Sequence, residues 1–282
     1  MRTAVVGHVE WVSFMEVDHV PAPGEIVHAG AWWEEAGGGG AGAAVQLGRL
    51  ARDVTFFTAL GDDAVGHRSY ERLEELGVRM RVAWRSEPAR RALTFVDRAG
   101  ERTITVLGDR HSPVATDDLP WDELEAIDAV YFTAGDAGVL RLAREAGVVV
   151  ATTRVLSVLT EAGVQLDAVV GSAVDPSEAY PPGGIEPPPG LVVRTDGARG
   201  GTYEIAGGRV GSYASESPPG PIVDRYGAGD CFAAGLTYGL GRGLATEEAL
   251  KVASLCGAAV ITGRGPYEAQ LTNAALEERL SG

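Results

Sequence analysis

The sequence is poor in cysteine and contains no long apolar run. Cys231 and Cys256 are the only cysteines among 282 residues. They lie in apolar helical patterns without a CxxC or histidine spacing, which favours core packing over a disulfide or a metal site and indicates a reducing compartment. The residues after Met1 lack the apolar segment of a signal peptide, and no stretch approaches the length of a membrane span. We therefore expect a cytoplasmic protein.

Positive charge is also scarce. Lysine and arginine number 24 against 39 aspartates and glutamates, which gives a formal net charge of −15. Nucleic acids and anionic membranes bind basic surfaces, so this balance disfavours both as partners. It favours a protein that acts on a small molecule.

Several catalytic motifs are missing. The 5 histidines form no HExxH pair, and the chain has neither a GxSxG serine turn nor a GxxxxGK[ST] phosphate loop. Zinc hydrolysis and serine-esterase chemistry are therefore disfavoured, and any use of ATP must proceed without a Walker loop. A formal GxGxxG occurs at Gly37, Gly39 and Gly42, but it does not follow a buried strand directly, which disfavours a nicotinamide dinucleotide. A low-complexity turn, or a loop whose amides grip a polyhydroxylated ligand, remains possible there.

The residues that are present predict an α/β fold. A hydrophobic fraction of 45% with 39 glycines indicates a sizeable core and many tight turns. From Val54 onward, apolar strands alternate with helices, and this rhythm predicts a mainly parallel sheet covered by helices. Residues 9–33 and 91–107 do not follow that rhythm and predict a second, small sheet. Such a sheet could be a lid, or a surface that pairs with a second copy of the chain to make a homodimer.

The segment Asp224–Leu236 joins a glycine turn to an apolar helix. Gly227 and Gly229 can adopt backbone angles closed to other residues, so successive amides can turn toward one point. The helix start adds its own free amides and the positive end of its dipole, which suits a phosphate. Asp230 could take a proton from a hydroxyl that attacks this phosphate, or it could simply cap the helix. The residues alone leave both interpretations open.

Two further segments also have two interpretations each. Asp175 and Glu178 are three residues apart, so they could share a helix face and organise Mg²⁺ through water, or form an N-cap with an acidic first turn. Thr195, Gly197 and Gly200 lie in a glycine turn after a buried strand. A nucleotide could bind at such a strand end, and a plain hairpin is the alternative.

In their order along the chain, these segments resemble the ribokinase (PfkB) family of sugar and nucleoside kinases. The segment from Asp224 to Asp230 is similar to the family's D-T-x-G-A-G-D signature, and Gly37-Gly38 with the helix that follows is similar to its GG motif. The runs at 61–63 and 21–25 occupy positions typical of the family.

The resemblance implies a three-layer α/β/α architecture. Residues 1–8, 34–90 and 108–282 would form the ribokinase-like domain around a mainly parallel sheet, and residues 9–33 and 91–107 would form a small β-sheet lid. The implied activity is transfer of the γ-phosphoryl group of ATP to a hydroxyl of a sugar, nucleoside or related polyol.

The resemblance also implies roles for site residues. Asp230 would be the catalytic base, and the amides of Gly227, Ala228 and Gly229 would form the anion hole. The implied acceptor contacts are Glu10, Val12, Gly38, Gly39, Gly42 and Asp230, and the implied nucleotide contacts are Thr195, Gly197, Gly200, Arg225, Gly227, Gly229, Ala253 and Gly257. Asp175 and Glu178 would hold Mg²⁺ through water, and Asp224, Gly263 and Gly265 would hold a monovalent cation such as K⁺.

The sequence departs from the family pattern at four positions. Arg225 stands in place of a threonine, Gly42 in place of an asparagine, and Asp175 in place of the asparagine of the metal motif. Val12 stands where an acceptor-binding aspartate is expected, with Glu10 two residues earlier, and a valine cannot hydrogen-bond a sugar hydroxyl. We therefore expect an acceptor pocket unlike that of ribokinase. Arg225 could bind an anionic acceptor or an ATP phosphate, or point into solvent. A catalytically weak family member that senses a sugar or nucleotide is the alternative function.

Overall fold

The computed structural model describes residues 1–281. Over this range the strands are β1 (Thr3–Val6), β2 (Glu10–Glu16), β3 (Ala31–Gly37), β4 (Val54–Gly61), β5 (Arg79–Arg85), β6 (Arg91–Val96), β7 (Arg102–Leu107), β8 (Ala129–Phe132), β9 (Val148–Thr152), β10 (Ala168–Ser172), β11 (Leu191–Thr195), β12 (Gly201–Ile205) and β13 (Arg209–Tyr213). The α-helices are α1 (Gly39–Ala51), α2 (Ala64–Glu75), α3 (Ala137–Ala143), α4 (Leu156–Ala162), α5 (Ala228–Gly241), α6 (Thr246–Val260) and α7 (Asn273–Ser281).

The central sheet has the strand order β13-β12-β11-β10-β9-β8-β1-β4-β5. Strands from β5 to β11 in this order pair in parallel, and only β12 and β13 add antiparallel pairs at one edge. Strand β4 is buried along its whole length, because helices cover both faces of a sheet of this kind.

Alternate residues of β1 pack into two different hydrophobic cores. Val5 packs in the core that includes α1, α5 and α6, whereas Ala4 and Val6 pack in the core that includes α3 and α4. Successive side chains of a strand point to opposite faces, so the two cores lie on opposite sides of the sheet. The α/β/α arrangement is thereby confirmed. Cys231 and Cys256 are free and buried within the first of these cores.

The small sheet has the order β3-β2-β6-β7. Strand β2 runs parallel to β6 and antiparallel to β3. One face packs Val12, Phe14 and Ala92 into a cluster that also holds Tyr226 of the glycine turn. We call this sheet the lid sheet. The second sheet of the sequence prediction is therefore confirmed, while the division into two domains and the pairing with a second copy stay predictions.

Strand β3 extends further along the chain than the sequence indicates. The lid prediction ends at residue 33, but β3 continues to Gly37, which pairs with Glu10. Glu34 and Glu35 interrupt the apolar pattern by which a strand is predicted from sequence. Their carboxylates pair with Arg68 and Arg72 of α2 instead of packing in a core. The strand therefore leads directly into the GG motif.

The carboxyl ends of the parallel strands converge on one edge of the central sheet. His8 follows β1, Thr133 follows β8, Arg154 follows β9, and Asp175 follows β10. Ligands of open α/β sheets bind in the crevice outside these strand ends. The start of α5 lies at this edge, because Asp230 of α5 and Thr133 after β8 both approach Gly39. Within residues 1–281, no helix has the length and apolar character needed to cross a membrane.

Candidate active site

The glycine turn before α5 is held by Asp224. This carboxylate accepts hydrogen bonds from the amides of Tyr226 (2.8 Å) and Gly265 (3.0 Å), and it is almost fully buried. Burial raises the pKa of Asp224, although the two amides act in the opposite direction. Both oxygens are thus engaged by the backbone, and a monovalent cation near Gly263 and Gly265 would have to share them.

Gly227 forms the N-cap of α5 in the left-handed conformation, with φ at 80°. Only glycine adopts this region without strain. The amides of the first turn, including Ala228 and Gly229, have no helical carbonyl to bind. No atom lies within 4 Å of the position that a Cβ on Gly229 would take, so this part of the turn is open. The 14-residue helix therefore presents an accessible N-terminus suited to an anion.

Asp230 lies in the first turn of α5 and faces α1. A Cβ on Gly39 would lie 3.0 Å from Asp230 Oδ1, and a Cβ on Gly42 would lie 3.5 Å from Asp230 Cβ. Gly39 and Gly42 leave this face of α1 without side chains, and the carboxylate of Asp230 occupies the space. No side chain caps α5 by a hydrogen bond, so the interpretation of Asp230 as the helix cap is wrong.

The surroundings raise the pKa of Asp230 to about 6. Burial is the main cause, with the negative charges of Glu178 and Glu10 adding to it and the positive charges of Arg102 and Arg154 opposing it. A carboxylate with this pKa is mostly ionised at neutral pH and is a stronger proton acceptor than an exposed aspartate.

Strand β2 of the lid sheet carries a polar side chain at Glu10 and an apolar one at Val12. Glu10 accepts a hydrogen bond from Arg90 Nε (3.1 Å) and a long one from the hydroxyl of Tyr226 (3.4 Å). The same hydroxyl accepts a hydrogen bond from the amide of Gly38 (3.0 Å). Val12 is fully buried in the apolar cluster of the lid sheet. We therefore leave Val12 out of the polar acceptor contacts, whereas Glu10 and Gly38 are both hydrogen-bonded to the hydroxyl of Tyr226.

Two arginines near Asp230 were not identified from the sequence. Arg102 of β7 donates to the backbone carbonyl of Arg225, and its guanidinium lies 5.7 Å from the ring centre of Tyr226. Arg154 follows β9 and pairs with Glu178 at 2.5 Å. The rule that ligands meet the carboxyl ends of parallel strands could have found Arg154. Nothing in the local sequence marks Arg102, because its position depends on how the lid sheet packs.

Asp175 and Glu178 lie on a short 3₁₀ turn rather than on the face of a helix. Asp175 accepts hydrogen bonds from the amide and hydroxyl of Ser177 and caps the turn 176–178, so the N-cap interpretation is confirmed. Glu178 accepts from the amide of Ser172 (2.8 Å). Arg154 pairs with both carboxylates. Within residues 1–281, no cluster of three or more histidine, cysteine or acidic side chains could hold a metal ion.

The predicted nucleotide contacts separate into exposed and buried positions. Gly197 and Gly200 have φ of 55° and 84° in the turn of the hairpin that joins β11 and β12, and their contact with a nucleotide stays a prediction. A Cβ on Gly257 would lie 3.2 Å from the carbonyl oxygen of Ala228, so Gly257 adjoins the start of α5. Ala253 is fully buried, and its Cα would lie 2.8 Å from a Cβ on Gly235. Because Ala253 offers no surface, we leave it out of the proposed nucleotide site.

Arg225 points toward the lid sheet. Its Nε lies 2.8 Å from a carboxylate oxygen of Glu101, and its amide donates to the carbonyl of Gly100. It thus links the glycine turn to the turn between β6 and β7.

Comparison with known proteins places this architecture in one family. The model of the pfkB family of carbohydrate kinases matches residues 2–180 and 186–273. This chain belongs to that family. It is therefore a phosphotransferase of the carbohydrate kinase type.

Individual relatives differ in how much of the chain they cover. An acarbose 7(IV)-phosphotransferase from Actinoplanes sp. is 41% identical over 73 residues, which is 26% of this chain and 24% of that protein. An ATP-dependent ribose-1-phosphate kinase from Halopiger xanaduensis is 26% identical over 97% of this chain and 96% of its own. The crystal structure of a putative ribokinase from Agrobacterium tumefaciens has a TM-score of 0.83 with 21% identity and covers 99% of this chain and 97% of that one. At 21% identity, the similarity to this crystal structure shows the fold alone.

Proposed function

We infer that this carbohydrate kinase transfers the γ-phosphoryl group of ATP to a hydroxyl of a sugar or a sugar derivative, with Asp230 as the base. The observation that carries this proposal is the position of Asp230. It lies in the first turn of α5, against the bare face of α1 at Gly39 and Gly42, with a pKa raised to about 6. An ATP-dependent relative matches 97% of the chain, which supports ATP as the donor. The relatives' names include ribose 1-phosphate and acarbose, which support a sugar-like acceptor.

The proposed reaction is an in-line displacement at phosphorus. The Asp230 carboxylate accepts the proton of the acceptor hydroxyl while that oxygen forms a bond to the γ-phosphorus. The bond between the γ-phosphorus and the bridging oxygen breaks. Its electron pair stays on that oxygen, which departs as part of ADP. The amides of Gly227, Ala228 and Gly229 stabilise the charge on the transferring group, because a helix N-terminus presents fixed dipoles that need no reorganisation.

The nucleotide would lie along the strand ends next to this anion hole. Thr195 ends β11, Gly197 and Gly200 follow it, and Gly257 adjoins Ala228 at the start of α5, so the proposal assigns these four positions to the nucleotide. The lid sheet would close over the acceptor and exclude water, which limits hydrolysis of ATP. Arg225 and Arg102 support this closure, because both link the glycine turn to the lid sheet.

Asp175 and Glu178 fit magnesium only through water. Their carboxylate oxygens suit a hard cation, but Arg154 and the amides of Ser172 and Ser177 already engage them. When bound, Mg²⁺ would neutralise charge on the phosphates of ATP. A contribution of K⁺ near Asp224 is a separate proposal, tested by replacing K⁺ with a large organic cation.

An acceptor screen tests the function. Purified protein is incubated with ATP, Mg²⁺ and each of a panel of sugars, sugar phosphates, sugar acids and nucleosides, and ADP release is measured. We expect release that depends on one class of acceptor. Calorimetric binding of a sugar or of ATP without ADP release for any acceptor would contradict the proposal and favour a sensor.

A further inference from the structure

Thr133 is a buried polar residue at the strand ends that the proposed reaction does not use. It follows β8, and its amide donates to the carbonyl oxygen of Val6 (2.8 Å) at the end of β1. The residue is only 4% exposed. Ligands of open α/β sheets bind outside the carboxyl ends of such strands, so Thr133 lies where a side chain can meet a substrate.

The two branches of the Thr133 side chain face different segments. Its Cγ2 lies 2.5 Å from the position that a Cβ on Gly7 would take, and its Oγ1 lies 3.2 Å from the position that a Cβ on Gly39 would take. The methyl group therefore packs toward the end of β1, and the hydroxyl faces the first residue of α1. Because a β-branched side chain has few rotamers open to it, the packing at Gly7 fixes the direction of the hydroxyl.

The hydroxyl of Thr133 differs from other buried threonine hydroxyls in its surroundings. Thr58 and Thr94 are fully buried, and their Oγ1 atoms are sealed from solvent without a hydrogen-bond partner. Thr153 donates its hydroxyl hydrogen to the carbonyl oxygen of Glu178. Thr133 Oγ1 has no hydrogen-bond partner among residues 1–281, but it keeps contact with solvent. This hydroxyl is therefore available to a ligand.

The available hydroxyl and the proposed base face the same gap. Asp230 Oδ1 lies 3.0 Å from the position of a Cβ on Gly39, close to the 3.2 Å of Thr133 Oγ1. No hydrogen bond joins these two oxygens in the described chain, so neither satisfies the other. Both lie within about one hydrogen-bond length of a common point, and Gly39 has no side chain there. Two groups of one small acceptor can therefore reach both oxygens.

We propose that Thr133 is a specificity-determining residue whose hydroxyl binds a second hydroxyl of the acceptor, next to the hydroxyl that Asp230 deprotonates. The proposal rests on the proposed function, because Asp230 fixes where the reacting hydroxyl lies. A threonine hydroxyl donates one hydrogen bond and accepts others, so it matches a sugar hydroxyl in either direction. The preferred acceptor is thus a polyol in which a neighbouring hydroxyl accompanies the reacting one. An acceptor without it would leave the Thr133 hydroxyl unpaired once water is excluded, which costs binding free energy.

Deoxy acceptors test the proposal. The sugar that gives the highest ADP release in the acceptor screen is compared with its monodeoxy analogues, each of which lacks one hydroxyl, by steady-state kinetics and by calorimetric binding. We expect one analogue to be turned over with a kcat/KM at least about tenfold below that of the parent sugar, which corresponds to about 1.4 kcal/mol. The loss should lie mainly in KM. The analogue that lacks the reacting hydroxyl is recognised separately, because it binds without turnover.

Variants assign the effect to the hydroxyl of Thr133. Thr133→Val keeps the shape of the side chain and should raise the KM for the parent sugar about tenfold, with little change for the sensitive deoxy analogue, so that the two losses are not additive. Thr133→Ser keeps the hydroxyl and should retain the preference for the parent sugar. Thr58→Val is the matched control, because it removes a hydroxyl that is sealed inside the central sheet. Circular dichroism checks folding, and Thr133→Ala replaces the valine variant if that variant fails the check.

The outcomes separate this inference from other roles of Thr133. Additive losses, or a Thr133→Val variant with the full discrimination of the wild type, overturn the inference and leave the kinase function intact. A lower kcat and a displaced pH–rate profile with an unchanged KM would show that Thr133 orients Asp230 instead, which also overturns it.

Absence of ADP release with every acceptor overturns the proposed function and is distinguishable from these results. Calorimetric binding of D-ribose, D-glucose and their monodeoxy analogues to the wild type and to Thr133→Val then decides the inference. Equal discrimination by the two proteins, or no binding of any of these sugars, contradicts it.

Discussion

At the scale of single residues, the pKa of Asp230 links the fold to the chemistry. Burial raises the pKa of this carboxylate to about 6, so its basic form is lost as the pH falls through that value. For a base with this pKa, we expect kcat/KM to decrease roughly tenfold per unit below the pKa and to level off above it. A pH–rate profile at saturating ATP, with ATP binding measured over the same range to remove the ionisation of ATP itself, checks this. A profile that stays flat to pH 4.5 would contradict the assignment.

The two glycines that face Asp230 provide a graded test of position. A methyl group at Gly39 would come within 3.0 Å of Asp230 Oδ1 and 3.2 Å of Thr133 Oγ1, whereas one at Gly42 would make ordinary contacts of 3.5 Å and 3.8 Å. Gly39→Ala should therefore displace the carboxylate and lower kcat by about tenfold to a hundredfold. Gly42→Ala should have a smaller effect on kcat. Steady-state kinetics with circular dichroism as a folding control checks the pair, and a larger loss in Gly42→Ala would count against the geometry.

At the scale of elements, Tyr226 joins the glycine turn to the GG motif and the lid sheet. Its ring packs edge-on against Phe14 at 5.0 Å, and its hydroxyl accepts from the amide of Gly38 and donates to Glu10. Tyr226 occupies the variable position x of the D-T-x-G-A-G-D signature, so the sequence alone predicts no role for it. Its bridging role depends on three segments that meet in space.

Tyr226→Phe tests this bridge. Phenylalanine keeps the packing but leaves the buried amide of Gly38 without an acceptor, which should lower the free energy of unfolding by about 1–3 kcal/mol. Tyr213→Phe is the matched control, because the hydroxyl of Tyr213 is buried without a partner and its removal should cost little. Urea denaturation of both variants measures the difference. Equal stabilities of the two variants would show that Tyr226 does not support the turn through its hydroxyl.

At the scale of the whole molecule, the layers could be predicted and the polar contacts across the cleft could not. Period and composition predict the parallel sheet from Val54 onward, because strands buried on both faces must be apolar. The small second sheet could also be predicted, but the true extent of β3 could not, since Glu34 and Glu35 pair with arginines of α2. Asp230 and the glycine turn lie in one short segment, so the sequence alone could identify them as a candidate site. Arg102 lies on β7, far from that segment in sequence, and only the packing of the lid sheet brings it to the glycine turn.

The central claim is that this kinase uses Asp230 as its base, and one paired measurement tests it most directly. Acceptor-dependent ADP release is measured for wild type, Asp230→Asn and the exposed control Asp118→Asn, with ATP binding followed by calorimetry. An amide keeps the shape but cannot accept the proton, so Asp230→Asn should lose turnover by a factor of at least about 10² to 10⁴ while retaining ATP binding. Asp118→Asn should behave like wild type. Near-normal turnover by Asp230→Asn would contradict the account.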